Sequence, residues 1–258
     1  MILSISFLTL SVIFMVGWAV SLKIRNASIV DAMWALTLPL PVAYYLLTTE
    51  SSFTARNLIL IAMAILWALR LGIHLAKRIY KHHPTEDPRY KSLREHWGDN
   101  ANRNFIGIFL LNSSLVFLLS LPFYVASQNS NNTIETLESI GIIVYLIGIT
   151  GEIISDKQLS DFLRNTPPGN VCQQGIWNYS RHPNYFFEAV IWIGIYIFCT
   201  ASPGGIYTIH APIIMILLLT KVSGIPPAEK SSLRSKGDAY RDYQKTTSAF
   251  VPWFKKHH

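Results

Sequence analysis

Apolar residues along this chain come in seven long runs, roughly 2–22, 29–47, 57–80, 105–126, 137–155, 185–201 and 205–222, parted by shorter polar stretches. Most approach the roughly 20 residues that a helix needs to cross hydrocarbon, the sixth being the shortest. The pattern predicts an all-α, integral membrane seven-helix bundle forming a single membrane domain over residues 1–258. Prolines inside the runs, such as Pro39 and Pro41, are tolerated in membrane helices. The chain opens Met1-Ile2-Leu3 with no basic region ahead of the apolar run, so this run reads as a retained helix and not a cleaved signal.

Composition agrees. Half of the 258 residues are hydrophobic and only 14% are charged, a little over half the charge of an ordinary soluble domain. The cations then orient the bundle. Of the 22 Lys and Arg residues, all but two lie at the end of the odd-numbered runs or follow them. Arg56 stands on the opposite side, and Arg70 lies inside the third run. The positive-inside rule puts the N-terminus outside and the C-terminal tail, Lys256 included, in the cytoplasm. A multi-pass protein of a bacterial inner membrane is expected. The formal +7 charge is then a topology signal, and nucleic acid is not an expected partner. Cys172 and Cys199 match no metal or disulfide spacing. On the outer side, Ser127 to Thr133 reads as a plain loop carrying the sequon Asn131-Asn132-Thr133. Ala201 to Gly205 reads as a tight turn.

Ionisable and polar groups inside apolar runs are costly, so they mark function by default. Asp31 and Trp34 open the second run. Arg70, His74, Lys77 and Lys81 form one helical stripe on the third. Glu152 and Asp156 close the fifth, Asn184 and Glu188 open the sixth, and Lys221 ends the seventh. All fall toward the cytoplasmic half, which predicts one polar cavity open to that side. Its centre is Ser180-Arg181-His182-Pro183-Asn184-Tyr185-Phe186-Phe187-Glu188. Pro183 suits the first turn of a helix, and the free N–H groups there, with Arg181 and His182, would seat an anion. Asn184 and Glu188 share one face. Tyr185 falls at the polar–apolar boundary. Thr85 to Trp97 reads as a basic amphipathic surface stretch. Asp156 to Trp177 reads as a loop lid, because of its Pro and Gly. The tail from Pro226 to Trp253 reads as a short amphipathic helix whose aromatics pack back onto the bundle. Rossmann, P-loop and metal signatures are missing.

Several of these stretches carry a resemblance. Ser155-Asp156-Lys157-Gln158, Phe162-Leu163-Arg164-Asn165 and Gly175-Ile176-Trp177 through Glu188 resemble the C-terminal half of the steroid 5α-reductase superfamily, closest to its bacterial membrane branch of unknown function. Trp67 to Gly72, Glu86-Asp87-Pro88-Arg89-Tyr90 and the tail from Glu229 to Trp253 fit that branch as well. The resemblance implies a membrane-embedded NADPH-dependent reductase, transferring hydride to an activated C=C of a steroid-like or other lipid drawn from the bilayer. Residues 1–126 would be the substrate side, and 127–258 the cofactor-binding half with its cytoplasmic tail. The cofactor set it implies is Glu152, Asp156, Arg164, Trp177, Arg181, His182, Asn184, Tyr185 and Glu188. Among these, Arg164, Arg181 and His182, together with Arg234, would face phosphates. Asp156, Asn184 and Glu188 would orient ribose hydroxyls or the carboxamide.

Steroid-reducing members are similar in using a Glu on the second span and a Tyr on the third. Here the second span offers Asp31 and Trp34, and the third offers Arg70 and His74 with Tyr80 only at its edge, so His74 or Asp31 is the expected proton donor. Arg-His-Pro-x-Tyr at a helix start also resembles the isoprenylcysteine and phospholipid methyltransferases, which bind S-adenosylmethionine. A lipid-transport role is a third reading, disfavoured by the lack of paired repeats.

Overall fold

The computed structural model describes residues 1–49, 54–131 and 133–255. Asn132 of the sequon and Lys256 of the tail lie outside the described residues. Seven helical stretches are long and apolar enough to cross a membrane: Ile2–Ile24, Ile29–Leu47, Ala55–His82, Pro88–Ser127, Thr136–Asn165, Pro183–Thr200 and Gly205–Lys236. Among the described residues there are no strands beyond one backbone bridge, Ser180 to Ser248. The chain divides into two compact units, Met1–Ile134 with Ser202–Gly205, and Glu135–Ala201 with Ile206–His258.

The first unit holds α1 (Ile2–Ile24), α2 (Ile29–Leu36), α3 (Pro39–Leu47), α4 (Ala55–His82), α5 (Pro88–Trp97) and α6 (Ala101–Ser127). The second apolar run is thus two short helices. Pro39 has no N–H to give to a helical carbonyl, and a break at Thr37-Leu38 removes that demand. Arg25 ends α1 in the left-handed region, with φ 52°. Inside, Ser6, Tyr45 and Ser120 form a chain of hydroxyl contacts, 3.0 Å each, that ties α1, α3 and α6. Arg56 is 1% exposed. Its guanidinium donates to the carbonyls of Asn129, Asn131 and Thr133, so the cation that stood apart in the charge pattern satisfies a loop.

The second unit holds α7 (Thr136–Asn165), α8 (Pro183–Thr200), α9 (His210–Leu217), α10 (Ile225–Lys236) and α11 (Asp238–Thr246). A capping box between Glu135 and Glu138 starts α7, satisfying N–H groups that the first turn leaves open. The helix then runs ten residues past the end expected from hydropathy, so Asp156, Asp161 and Arg164 are helical and not part of a loop. Nothing from Ser155 to Asn165 breaks a helix. It stops at Thr166, held extended at φ −128°, ψ 136°, as the residue before a proline prefers. Only Thr166 to Gln174 remains irregular. Pro183 begins α8 as expected.

Helices α7 and α8 pack at close range because glycines let their backbones meet. A Cβ on Gly141 would lie 2.5 Å from Phe198 N, and one on Gly194 would lie 2.5 Å from Tyr145 N. The seventh run enters through a 3₁₀ turn, Gly205–Ile209, and leaves through a π turn, Leu218–Val222. Gly224 then separates it from the polar α10.

Candidate functional site

A cavity of about 160 Å³ lies in the second unit, walled by the end of α7, the 171–177 segment, the start of α8, and the tail helices α10 and α11. Its lining includes Cys172, Trp177, Arg181, His182, Asn184, Tyr185, Ser232, Lys236, Tyr240 and Tyr243. The wall is built by backbone demands. Gly175 turns the chain at φ 56°, where a Cβ would strike the Gln158 side chain at 2.3 Å. Gln158 in turn accepts from Ile176 N at 3.0 Å. Trp177 donates its indole N–H to the Ser155 carbonyl at 2.9 Å.

The tail is stapled to this wall. Tyr243 donates to the carbonyls of Trp177 and Ser180. Ser180 Oγ donates to Phe250 O at 2.8 Å, and Arg181 N donates to Ser248 O at 2.8 Å. Arg181 bonds Glu229 at 2.7 Å and also donates to the carbonyls of Gln244 and Thr247. Its side chain is only 10% exposed. His182 lies 3.4 Å from the same Glu229 oxygen and stacks on Tyr185 with rings 5° from parallel. Burial, and after it the charge of Glu229, pushes the Tyr240 hydroxyl up to about 12. Burial likewise raises Tyr243 and the Cys172 thiol. At neutral pH these phenols are therefore hydrogen-bond donors.

Asn184 shows what the cavity can do. Its Nδ2 donates to Asp156 Oδ1 at 3.2 Å, while its Oδ1 is buried and accepts nothing. A buried amide oxygen left in that state costs free energy that a ligand donor would recover. One-ring fragments fit such a volume, whereas whole drug-sized ligands need roughly 300 Å³ or more. The cavity thus has room for a single ring and not for a whole drug-sized molecule.

The chain matches the family model described as "Protein of unknown function (DUF1295)" over residues 17–247. It belongs to the DUF1295 family. This DUF1295 chain is also 24% identical over 265 residues to an uncharacterized protein of Schizosaccharomyces pombe, across 91% of this chain and 75% of that protein. No solved structure matches it.

The residues singled out in this DUF1295 sequence fall in both units. In the second, Asp156 meets Asn184, and Arg181 and His182 meet at Glu229. Glu152 and Glu188 are each 3% exposed on the packed helices α7 and α8, and Trp192 donates to Glu188 at 3.0 Å. Arg164 is outside the cavity lining and pairs loosely with Asp161 at 3.5 Å, its side chain 72% exposed.

In the first unit, His74 is exposed on α4. Asp31 accepts from Arg89 and from Tyr90, each at 2.6 Å. The Glu86-Asp87-Pro88-Arg89-Tyr90 stretch folds over the start of α2: Glu86 accepts from Ala27 N at 2.7 Å, and Asp87 N donates to Ser28 Oγ at 2.9 Å. Tyr90 is thus the carboxylate's phenolic partner, a pairing across 59 residues that no local spacing announces. Among the described residues no group of three or more His, Cys, Asp or Glu could hold a metal ion.

Proposed function

We propose that this membrane-embedded DUF1295 protein is an NADPH-dependent reductase of the steroid 5α-reductase type, acting on an activated C=C of a steroid-like or other lipid. What supports this reading is Asn184, which lines a cavity with room for a ring and carries a buried Oδ1 that accepts no hydrogen bond. Asp156 fixes the amide so that this oxygen can accept from a hydroxyl of the cofactor's adenosine ribose. Trp177 and Tyr185 give the same wall flat apolar surface for a ring. When bound, NADPH supplies hydride to the β-carbon of an enone.

The chain's own groups bind and orient. His74 and Asp31 remain the residues assigned to the substrate end. Tyr90 joins them, because its hydroxyl is held by Asp31 and a phenol can donate to a carbonyl oxygen. The bias of Lys and Arg supports an outside N-terminus and a cytoplasmic cofactor end. In this reading the short loop from Thr166 to Gln174 and the stapled tail cover the cofactor.

Methyl transfer from S-adenosylmethionine is the second reading. It is favoured by Arg181, whose guanidinium is committed to Glu229 and two carbonyls and so is taken from the set expected to meet phosphate. The test is thermal unfolding of the detergent-solubilised protein with each cofactor. A ligand at 100 times its Kd stabilises by about 2.7 kcal/mol, enough to shift the midpoint by a few degrees. Stabilisation by NADPH is expected. Stabilisation by S-adenosylmethionine without any by NADPH would replace the first reading with the second.

A further inference from the structure

No carboxylate is among the cavity's described lining residues, and the two that bond to lining side chains are already engaged. Glu229 is shared by Arg181, His182 and Gln244, and Asp156 holds Asn184. Arg181 is therefore a strut for the tail and has no geometry left for a ligand. One lining cation is different. Lys236 is the last residue of α10, and its Nζ stands 5.7 Å from the centre of the Tyr240 ring. No carboxylate among the described residues is paired with it. A half-buried ammonium facing a cavity without a counter-charge has lost part of its hydration and gained little in return, which an incoming anion reverses. Two further donors share its wall. Ser232 lies one helical turn earlier on α10, and Tyr240 lies just beyond Gly237, where the chain turns at φ 55°.

We propose that Lys236, with the hydroxyls of Ser232 and Tyr240, forms an anion subsite that takes a phosphomonoester, the 2′-phosphate by which NADPH differs from NADH. This rests on the reductase reading above and moves the phosphate partner from Arg181 and Arg164 to Lys236. Lysine suits such a role as a compact point charge with three donors. The turn at Gly237 joins α10 directly to α11, and all three residues line the one cavity.

The test uses the full chain in detergent and reads affinity, not turnover, by quenching of tryptophan fluorescence with NADPH and with NADH. Lys236→Ala is expected to weaken NADPH binding about ten- to a hundredfold while leaving NADH within about twofold, the loss typical of one charge-assisted contact. Lys236→Arg, which keeps the charge, is expected to retain most of the NADPH affinity. On the unaltered protein, adenosine 2′,5′-bisphosphate is expected to compete with NADPH and adenosine 5′-diphosphate is not, a comparison that needs no variant to fold. Equal losses for NADPH and NADH, or an unchanged NADPH affinity in Lys236→Ala, would overturn the subsite and leave the reductase reading standing. Failure of the unaltered protein to bind either nucleotide would overturn both.

Discussion

Arg181 Nε lies 2.7 Å from Glu229 Oε1 and joins the turn before α8 to the first half of α10, 48 residues later in the chain. The pair is shielded, with side chains 10% and 18% exposed. Removing one partner leaves the other charge in a poorly solvated place, which costs more than the pair itself contributes.

Arg181→Ala is therefore expected to destabilise the second unit by about 3 kcal/mol. Arg164→Ala, whose partner Asp161 is 46% exposed, is expected to cost less than about 1 kcal/mol. Thermal midpoints of the two variants in one detergent check this. Matching shifts would mean that the Arg181 contact carries no special weight.

The α7–α8 contact yields a steric prediction. A Cβ on Gly141 would meet backbone atoms of Phe198 and Gly194 at 2.5 to 2.8 Å, and backbone cannot rotate away as a side chain can. Gly141→Ala is expected to reduce the yield of folded protein sharply. Gly107→Ala on α6, with nothing within 4 Å of the new methyl, is expected to be neutral or stabilising by up to about 1 kcal/mol. Size-exclusion profiles of the two variants distinguish these outcomes.

Hydropathy alone made the seven crossings legible, and Pro183 marked the start of α8 to the residue. Helix ends carried by polar sequence were not legible. The last ten residues of α7 are too polar for a span, and Pro and Gly further on drew the whole segment into a loop. Thr166 before Pro167 carries the stop signal, because the residue preceding a proline disfavours the α region. The partners at the site were out of reach. Arg181 looked available for phosphate because its counter-ion lies beyond α8 and α9, 48 residues on. Lys236 looked like one more cation in a basic tail. Tyr90 belongs to the Glu86-to-Tyr90 stretch, yet nothing local points it at Asp31.

Acid sensitivity follows from Asp87. Burial pushes its carboxyl up, but hydrogen bonds and charge from Arg89, then the charge of Arg78, more than reverse this and hold it below its ordinary 3.8. A carboxyl depressed on folding contributes stability that is present above its unfolded value and lost as pH falls through its folded one. Asp87→Asn is therefore expected to lower the thermal midpoint at pH 7. The gap from the unaltered protein should shrink only below about pH 4. A gap independent of pH down to 2 would show that the carboxylate charge is not what Arg89 and Arg78 respond to.

Asn184 separates binding from architecture. Its Nδ2 contact to Asp156 is one modest hydrogen bond, worth about 1 kcal/mol, and its buried Oδ1 is a cost in the empty protein. In Asn184→Ala the two effects oppose each other, so the thermal midpoint without ligand is expected to move little. Nucleotide affinity is a different matter, because the accepting oxygen is what the ligand's donor would meet. NADPH and NADH should both weaken about tenfold in this variant, unlike Lys236→Ala, where only NADPH suffers. A large fall in midpoint with affinity preserved would make Asn184 a packing residue, its unsatisfied oxygen merely tolerated at the start of α8.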